Sequence, residues 1–408
     1  MDSETARSTP SMDEGFWESP LQKDGDADER LVQVEITSGG LNVDLHIENI
    51  LKDETLSSFP QSTEDELGVL GFPNMAQSCY MNSTLQSLLT LRVFSQEIEQ
   101  TEWAWDSVPS AELLRGFVAI RESCQSDNVF QKIYVLESFK STVALQDPEF
   151  EDNRQKDAHE FFISVLNQMR TLYPLLWSAA QDTPGRSYTC PVEAHLLFHM
   201  LSTRSCKRCS GQSVTVEAFT NLSLDLEPGD SVCQALDRYL TETPLECDCQ
   251  CGAKTSAMQL RFLSLPNVLV LHLKRFRFNP DWSLEKVNDA VLLSRDLGLN
   301  SGREAETEDS DAMGKYTLVS VLSHIGKSPL SGHYVSDGSF QGKGDTPPDQ
   351  WLSYNDETVS WTSGSEVCQQ RQCTAYLLFY ERQVDQAMAW ITRQVEMTSG
   401  GVNVYLQI

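Results

Sequence analysis

The chain changes its hydrophobic pattern once, near residue 195, and this change constrains the fold more than any other feature. From Cys79 to about residue 178 the apolar residues recur at helical spacing, which predicts a run of helices. One stretch predicts a core helix with a single apolar face, and that face comprises Ala158, Phe161, Phe162, Val165, Leu166 and Met169.

Short β-type runs replace the helical pattern between residues 195 and 275. Further strands are predicted at 316–324, 332–336 and 375–381, whereas the acidic, turn-rich residues 294–314 predict a loop. The sequence therefore predicts an α+β protein in which a helical half is followed by a β half.

The charge of the chain limits the partners it can bind directly. The 408 residues carry a formal net charge of −28, and residues 1–67, with 17 acidic and 4 basic side chains, account for −13 of it. Such a surface argues against nucleic acid or an anionic membrane as a direct partner. It suits a basic partner, although it could equally serve solubility alone.

Cysteine usage and the absence of long apolar runs point to an intracellular protein. No apolar run approaches the ~20 residues that span a bilayer, and the acidic, polar N-terminus resembles no export signal. The eleven cysteines are scattered and odd in number, so we interpret them as reduced thiols, metal ligands or a nucleophile. The sequence does not decide between nucleus and cytoplasm.

A 15-residue repeat flanks the central region. Residues 33–47 recur at 394–408 with 11 identical positions, and both copies alternate apolar and polar residues on either side of Ser-Gly-Gly. This pattern predicts two β-hairpins. They could pair with each other, pack on the core, or add a strand to a partner such as SUMO.

Cys79 is the candidate nucleophile because of the residues around it. Polar residues precede the sulfur and a Leu-rich amphipathic stretch follows it, which places the thiol on the first turn of a helix. There the unpaired backbone N–H groups and the helix dipole favour the thiolate. A candidate base, His333, lies far downstream in Ser-Gly-His-Tyr-Val, and Asn355 and Asp356 follow it. Cysteine, histidine, then Asn or Asp is the order of papain-like proteases.

Five blocks in this order resemble the motifs of the ubiquitin-specific protease family. They are Gly71–Ser83, Lys156–Phe162, Leu269–Phe276, the pair Gly332–Tyr334 and Tyr354–Asp356, and Tyr376–Tyr380. The resemblance implies a papain-like cysteine protease core with a helical thumb, a β-rich palm and β-ribbon fingers. It implies a catalytic domain over 68–383, between an acidic, largely disordered segment 1–67 and a C-terminal segment 384–408.

The family resemblance assigns a role to each residue near the thiol. Cys79 would be the nucleophile, His333 the general base and acid, and Asn74 a side-chain oxyanion donor beside the Cys79 backbone N–H. Asn355 is the expected third triad member. Adjacent side chains on an extended strand point to opposite faces, so only one of the two is expected to orient the imidazole. Asp356 is expected to assist nearby, or to compensate if Asn355 is lost.

Two further groups are implied by the same resemblance. Asp157 and Glu160, three residues apart, would share a helix face and bind the arginines of the ubiquitin tail, unless that face is merely solvated. A structural zinc site in the fingers would use four cysteines. These are Cys206, Cys209 and Cys251, with Cys249 or alternatively Cys247 as the fourth, unless the site has lost its metal.

The loop before the nucleophile departs from the family pattern at two positions. Ala76 stands where glycine is usual, and Ser78 replaces threonine. If the position of Ala76 requires a positive φ, alanine there costs ~1 kcal/mol or more.

The leading hypothesis is a thiol-dependent deubiquitinase that acts on ubiquitinated proteins without a catalytic cofactor. The alternatives are a ubiquitin-binding pseudoenzyme and a protease for another ubiquitin-like modifier.

Overall fold

The computed structural model describes residues 71–383 apart from the gaps 107, 182–184, 247, 301–312, 329–330 and 341–348. Three predictions lie outside these residues: the character of segment 1–67, the two hairpin repeats at 33–47 and 394–408, and the alternative ligand Cys247.

The helical half of the chain is confirmed by the structure. The described α-helices, in chain order, are α1 (Cys79–Thr90), α2 (Arg92–Gln100), α3 (Glu102–Trp105), α4 (Glu112–Ser123), α5 (Val129–Gln146), α6 (Ala158–Thr171), α7 (Tyr173–Gln181), α8 (Pro191–His195), α9 (Val232–Leu240) and α10 (Gly364–Gln370). The predicted apolar face of α6 is buried at every one of its six positions.

Fourteen strands form the β half within the described residues. They are β1 (Phe198–Cys206), β2 (Gln212–Phe219), β3 (Leu222–Leu224), β4 (Thr243–Glu246), β5 (Thr255–Phe262), β6 (Val268–Leu273), β7 (Phe276–Phe278), β8 (Leu284–Lys286), β9 (Asp296–Asn300), β10 (Met313–Ser328), β11 (Ser331–Ser339), β12 (Gln350–Asn355), β13 (Thr358–Ser363) and β14 (Ala375–Arg382).

These strands build one large sheet and two smaller ones. The large sheet has the order β13-β12-β11-β10-β14-β6-β3, with β9 also paired to β10. A separate ribbon has the order β2-β1-β5-β4, and β7 pairs with β8. The helical layer, the large sheet and the long ribbon correspond to the expected thumb, palm and fingers, so the predicted α+β fold class is confirmed.

Helix α1 is buried between the other helices and the large sheet. Ten of its twelve residues are buried, polar ones included. Buried hydroxyls need hydrogen-bond partners, and those of Ser87 and Thr84 have them. The Ser87 and Ser336 hydroxyls lie 2.8 Å apart, and Thr84 Oγ1 donates to the Tyr80 carbonyl at 2.8 Å. The Ser87–Ser336 contact thereby ties the C-terminal half of α1 to β11.

The loop predicted at 294–314 is wrong for its first part. Residues 296–300 form β9, which pairs antiparallel with the start of β10, and Leu297 and Leu299 on it are buried. Two leucines among polar neighbours give an alternation too short to stand out in the sequence, and pairing with the long strand β10 supplies the missing stability.

No helix among the described residues has the length and apolar character needed to cross a membrane.

Candidate active site

Cys79 is the first residue of α1, and its side chain is buried, with 2% of it exposed. The preceding turn is fixed by its own polar groups. The Ser78 backbone N–H donates to Asn74 Oδ1 at 3.0 Å, and the Met75 N–H donates to Ser78 Oγ at 2.8 Å. The polar run before the sulfur therefore serves to shape the turn that starts the helix.

That turn uses two consecutive residues in the left-handed region. Ala76 has φ +55° and Gln77 has φ +64°. The position of Ala76 thus does require a positive φ, and an L-residue with a Cβ is disfavoured there by about 1–2 kcal/mol. Alanine in place of glycine therefore puts backbone strain three residues before Cys79.

His333 lies on β11, and its ring bridges the thiol and an amide. His333 Nε2 is 2.6 Å from Asn355 Oδ1, which leaves Nδ1 for the thiol. A hydrogen bond with Cys79 raises the pKa of His333 to about 9, partial burial opposes this, and the bond to Asn355 adds to it. Gly332 permits the close packing here, since a Cβ on it would lie 2.3 Å from His324 Nε2.

Asn355 and Asp356 both face the imidazole, and the expectation that they point to opposite faces is wrong. Strand β12 ends at Asn355, and Asp356 has φ +50°, so the chain turns there and is no longer extended. Asp356 Oδ2 consequently lies 3.7 Å from His333 Nε2, farther than the Asn355 oxygen. Asn355 makes the hydrogen bond, and Asp356 contributes its charge.

Asp356 also holds the amides of the loop and of α1. Its Oδ2 accepts a hydrogen bond from Asn74 Nδ2 at 2.8 Å, and its Oδ1 accepts one from Asn82 Nδ2 at 2.8 Å. One N–H of the Asn74 amide is therefore committed to the carboxylate, and the second remains for a substrate oxygen. The fixing of Asn74 by Asp356 had no signal in the sequence.

Gln155 is a further residue at the site that sequence reasoning missed. Its side-chain amide bonds twice to the backbone of Gly332: Nε2 donates to the carbonyl at 2.8 Å, and Oε1 accepts from the N–H at 3.2 Å. Its own backbone N–H donates to Gln77 Oε1 at 2.8 Å. Gln155 thus joins the loop before Cys79 to Gly332, the residue before His333.

Asp157 occupies the N-cap of α6, three positions before Glu160, and both of its carboxylate oxygens have partners within the protein. Its Oδ1 accepts from the backbone N–H groups of His159 at 2.7 Å and Glu160 at 3.1 Å, and its Oδ2 accepts from the Tyr376 hydroxyl at 2.6 Å. The pattern Asp-x-x-Glu before an apolar run could have predicted this cap.

Glu160 lines an acidic recess of about 450 Å³ together with Asp147 and Glu149. Partial burial and the neighbouring carboxylates, Asp157 foremost, raise the pKa of Glu160. A cation entering the recess would relieve this repulsion. The recess therefore has the chemistry to bind a guanidinium or ammonium group.

Four cysteines gather at the end of the ribbon. Sγ atoms of Cys206, Cys209, Cys249 and Cys251 all lie within 4.8 Å of one another. The Cys206–Cys251 and Cys209–Cys249 sulfurs are 3.7 and 3.6 Å apart. Thiolates at ~2.3 Å from a tetrahedral zinc would be about 3.8 Å apart, so this donor set fits zinc.

A helix-borne thiol, an imidazole bonded to it and an amide behind the imidazole form the constellation of a papain-like cysteine protease. Comparison with known proteins agrees. The sequence profile of the ubiquitin carboxyl-terminal hydrolase family matches residues 70–380. The chain belongs to this family, as a member of its ubiquitin-specific protease type.

Individual relatives and solved structures are also similar. Ubiquitin carboxyl-terminal hydrolase 37 of Homo sapiens is 31% identical over 278 residues, which is 62% of this chain and 28% of the relative. Hydrolase 29 of Homo sapiens is 30% identical over 257 residues, 57% of this chain and 28% of the relative. The chain thus spans little more than a quarter of these relatives.

Among solved structures, the SAGA DUB module of Ubp8, Sgf11, Sus1 and Sgf73 bound to monoubiquitin matches with a TM-score of 0.65 at 24% identity. The match covers 82% of this chain and 74% of that chain. The same module bound to ubiquitin aldehyde matches with a TM-score of 0.64 at 24% identity, over 78% and 70% of the two chains. These likenesses support the fold.

Proposed function

We propose that the chain is a thiol-dependent deubiquitinase that hydrolyses the isopeptide bond between the ubiquitin C-terminal glycine and a substrate lysine. The observation that carries the proposal is the Cys79–His333–Asn355 constellation inside the family fold. The family match over 70–380 supports a catalytic domain within 68–383.

The Cys79 thiolate would attack the isopeptide carbonyl carbon after its proton has passed to His333. Collapse of the tetrahedral intermediate breaks the C–N bond, and His333 gives its proton to the departing lysine amine. The pKa of about 9 keeps the ring protonated at neutral pH, which is the form this step needs. His333 then takes a proton from water, which attacks the thioester and releases the ubiquitin carboxylate and the thiol.

The developing oxyanion would be met by two donors. These are the backbone N–H of Cys79 and the N–H of Asn74 that is not used by Asp356. Asp356 and Ser78 orient the Asn74 amide before substrate arrives, because each bonds to one end of it. Loss of such a donor typically lowers the rate ~100–1,000-fold.

The ubiquitin tail would be positioned by charge. Its arginines suit the acidic recess around Glu160, with the Asp157 carboxylate close by. Zinc, when bound by Cys206, Cys209, Cys249 and Cys251, would supply only a structural cross-link between the two pairs of cysteines at the end of the ribbon.

The test is reaction of the purified full chain with ubiquitin that carries a C-terminal thiol-reactive warhead. We expect a mass increase of one ubiquitin, which is lost in Cys79→Ala and kept in Cys190→Ala, a matched control because that cysteine is also buried and unpaired. Non-covalent ubiquitin binding without an adduct would favour the pseudoenzyme, with the strained turn at Ala76 as its cause. Adduct formation with a SUMO warhead but not with ubiquitin would assign the other modifier.

A further inference from the structure

A second pocket, of about 370 Å³, lies at the opposite end of α1 from the nucleophile. It is lined by the last turns of α1, by α2 and α4, and by residues of β11 and β12. Its α1 residues Gln86 and Thr90 are seven and eleven positions beyond Cys79, which is roughly 10–17 Å along a helix. The pocket is therefore separate from the site of the proposed chemistry.

The charged side chains among the described residues that line this pocket are both basic. Arg92 and Arg121 line it, and no carboxylate stands among its described lining residues, although the whole chain carries −28. Arg121 Nη1 is paired with Glu99, which lies outside the lining, and its other nitrogens remain donors. A guanidinium group can donate two parallel hydrogen bonds to two oxygens of a carboxylate or a phosphate.

A buried amide in the wall requires an acceptor. Gln86 is 3% exposed, and its Nε2 has no hydrogen-bond partner among the described residues. Buried polar groups are nearly always paired, and an orphaned donor is costly. A group with oxygen acceptors in the pocket would satisfy Gln86 Nε2, and a negative charge on it would meet the two arginines.

We propose that this pocket is a binding site for an oxyanion, a phosphate or a carboxylate group, held by Arg121, Arg92 and the Gln86 amide. The volume admits such a group together with part of the molecule that bears it. Tyr354, which also lines the pocket, directly precedes Asn355. An occupant would therefore contact both the helix that begins at Cys79 and the strand that ends at Asn355.

The experiment titrates the full chain with inorganic phosphate, and in a second arm with acetate, at an ionic strength held constant with chloride. Binding is followed by NMR shifts of the arginine side chains. We expect saturable binding to one site, weakened about 10-fold or more by Arg121→Gln and by Gln86→Leu. The arm that saturates at the lower concentration identifies the preferred oxyanion.

Arg170→Gln is the matched control. Arg170 is exposed to a similar degree as Arg121 (33% against 28%), is likewise paired with one glutamate, and lies outside the pocket. No saturable binding in either arm, or equal weakening by Arg121→Gln and Arg170→Gln, would overturn the proposal. Because binding is measured without ubiquitin, the result is independent of the proposed activity. If Gln86→Leu disturbs α1, the comparison of the two arginine variants decides alone.

Discussion

At the scale of single residues, the strained backbone at Ala76 predicts that replacing this alanine by glycine stabilises the folded protein. Ala76 has φ +55°, where a Cβ is disfavoured by about 1–2 kcal/mol, and the greater freedom of glycine in the unfolded chain cancels only part of the gain. We expect Ala76→Gly to raise the free energy of unfolding by about 0.5–1 kcal/mol, measured by denaturant titration.

The same substitution should act in the opposite direction inside a helix. Ala179 lies within α7, where glycine is about 1 kcal/mol less favourable than alanine. Ala179→Gly is therefore expected to lower the free energy of unfolding. Destabilisation by both substitutions would mean that the turn before Cys79 is not strained as described.

His333 should titrate well above an ordinary histidine. Because the hydrogen bond with Cys79 is the largest cause of its raised pKa, we expect an NMR titration midpoint near 9 in the full chain and a lower one in Cys79→Ala. An unchanged midpoint in Cys79→Ala would show that the thiol does not hold the ring.

The raised pKa also fixes the sign of a pH effect on stability. The folded state binds the His333 proton more tightly than the unfolded chain, whose histidine pKa is ~6.5. The contribution is therefore complete below about pH 6.5 and is lost as the pH rises through about 9. Denaturant titrations at several pH values should show this loss, and His333→Gln should remove it.

The sequence could select Cys79 and His333 as candidates because each lies in a short motif, one at the start of a helix and one in a strand after a glycine. It could not separate Asn355 from Asp356, because their distances to the imidazole depend on where β12 ends and the chain turns. A positive φ at an aspartate has no reliable sequence signal outside glycine-rich turns.

At the scale of elements, Asp157 caps the N-terminus of α6, and this predicts how much stability its Ala and Asn variants lose. One oxygen of Asp157 caps the helix and the other accepts from Tyr376. We expect Asp157→Ala to lower the free energy of unfolding by about 1–2 kcal/mol, and Asp157→Asn to cost less because it keeps an oxygen at the cap.

Glu160→Gln is the comparison variant for tail binding. Its side chain lines the acidic recess and makes no part of the cap, so we expect stability within about 0.5 kcal/mol of the parent and a raised KM for ubiquitin substrates. A KM unchanged in Glu160→Gln would remove the recess from ubiquitin recognition.

The ribbon of β1, β2, β4 and β5 should carry one zinc ion per chain. Elemental analysis of the purified protein measures this directly, and Cys209→Ser is expected to lose the metal because a tetrahedral site needs all four thiolates. Cys233→Ser is the control, since that exposed cysteine lies outside the cluster. Metal-free parent protein, prepared without chelator, would contradict the prediction.

The spacing of the cysteines alone could not assign the second pair of zinc ligands. The separations among Cys247, Cys249 and Cys251 fit no C-x-x-C pair, so the sequence left the fourth ligand undecided. Cys249 and Cys251 lie within reach of Cys206 and Cys209 because the residues after β4 fold back towards the end of β1. That geometry depends on tertiary pairing, as does the strand β9 that the sequence missed.

At the scale of the whole molecule, Gln155 is expected to keep the two halves of the site aligned. Its amide bonds to Gly332 beside His333, and its backbone bonds to Gln77, two residues before Cys79. We expect Gln155→Ala to lower kcat about 10-fold with little change in thermal stability, because misalignment of reacting groups is costly to rate.

Steady-state kinetics with a ubiquitin C-terminal fluorogenic substrate provides the measurement. Gln369→Ala, at an exposed position of α10, is the control and should leave kcat unchanged. Equal kcat values for the parent and Gln155→Ala would show that Gln155 is not a positioning residue.

The overall architecture could be predicted because the sequence patterns that indicate it extend over many residues. Helical spacing over about a hundred residues and β-type runs thereafter specify the two halves, and five ordered motifs specify their family. Gln155 was not predictable, because its partner Gly332 lies 177 residues away and offers only backbone atoms. Contacts of this kind leave no residue preference in the sequence.

The distance along the chain between thiol and imidazole has a consequence for biosynthesis. Cys79 precedes His333 by 254 residues. At roughly 5–20 residues per second, a ribosome would need about 13–50 s to add the base after the nucleophile has been made. Even then β11 lies beside β10, which also pairs with β14, a strand that is made later still. In a nascent chain, Cys79 would therefore lack the imidazole of His333 beside its thiol until synthesis of the palm is nearly complete.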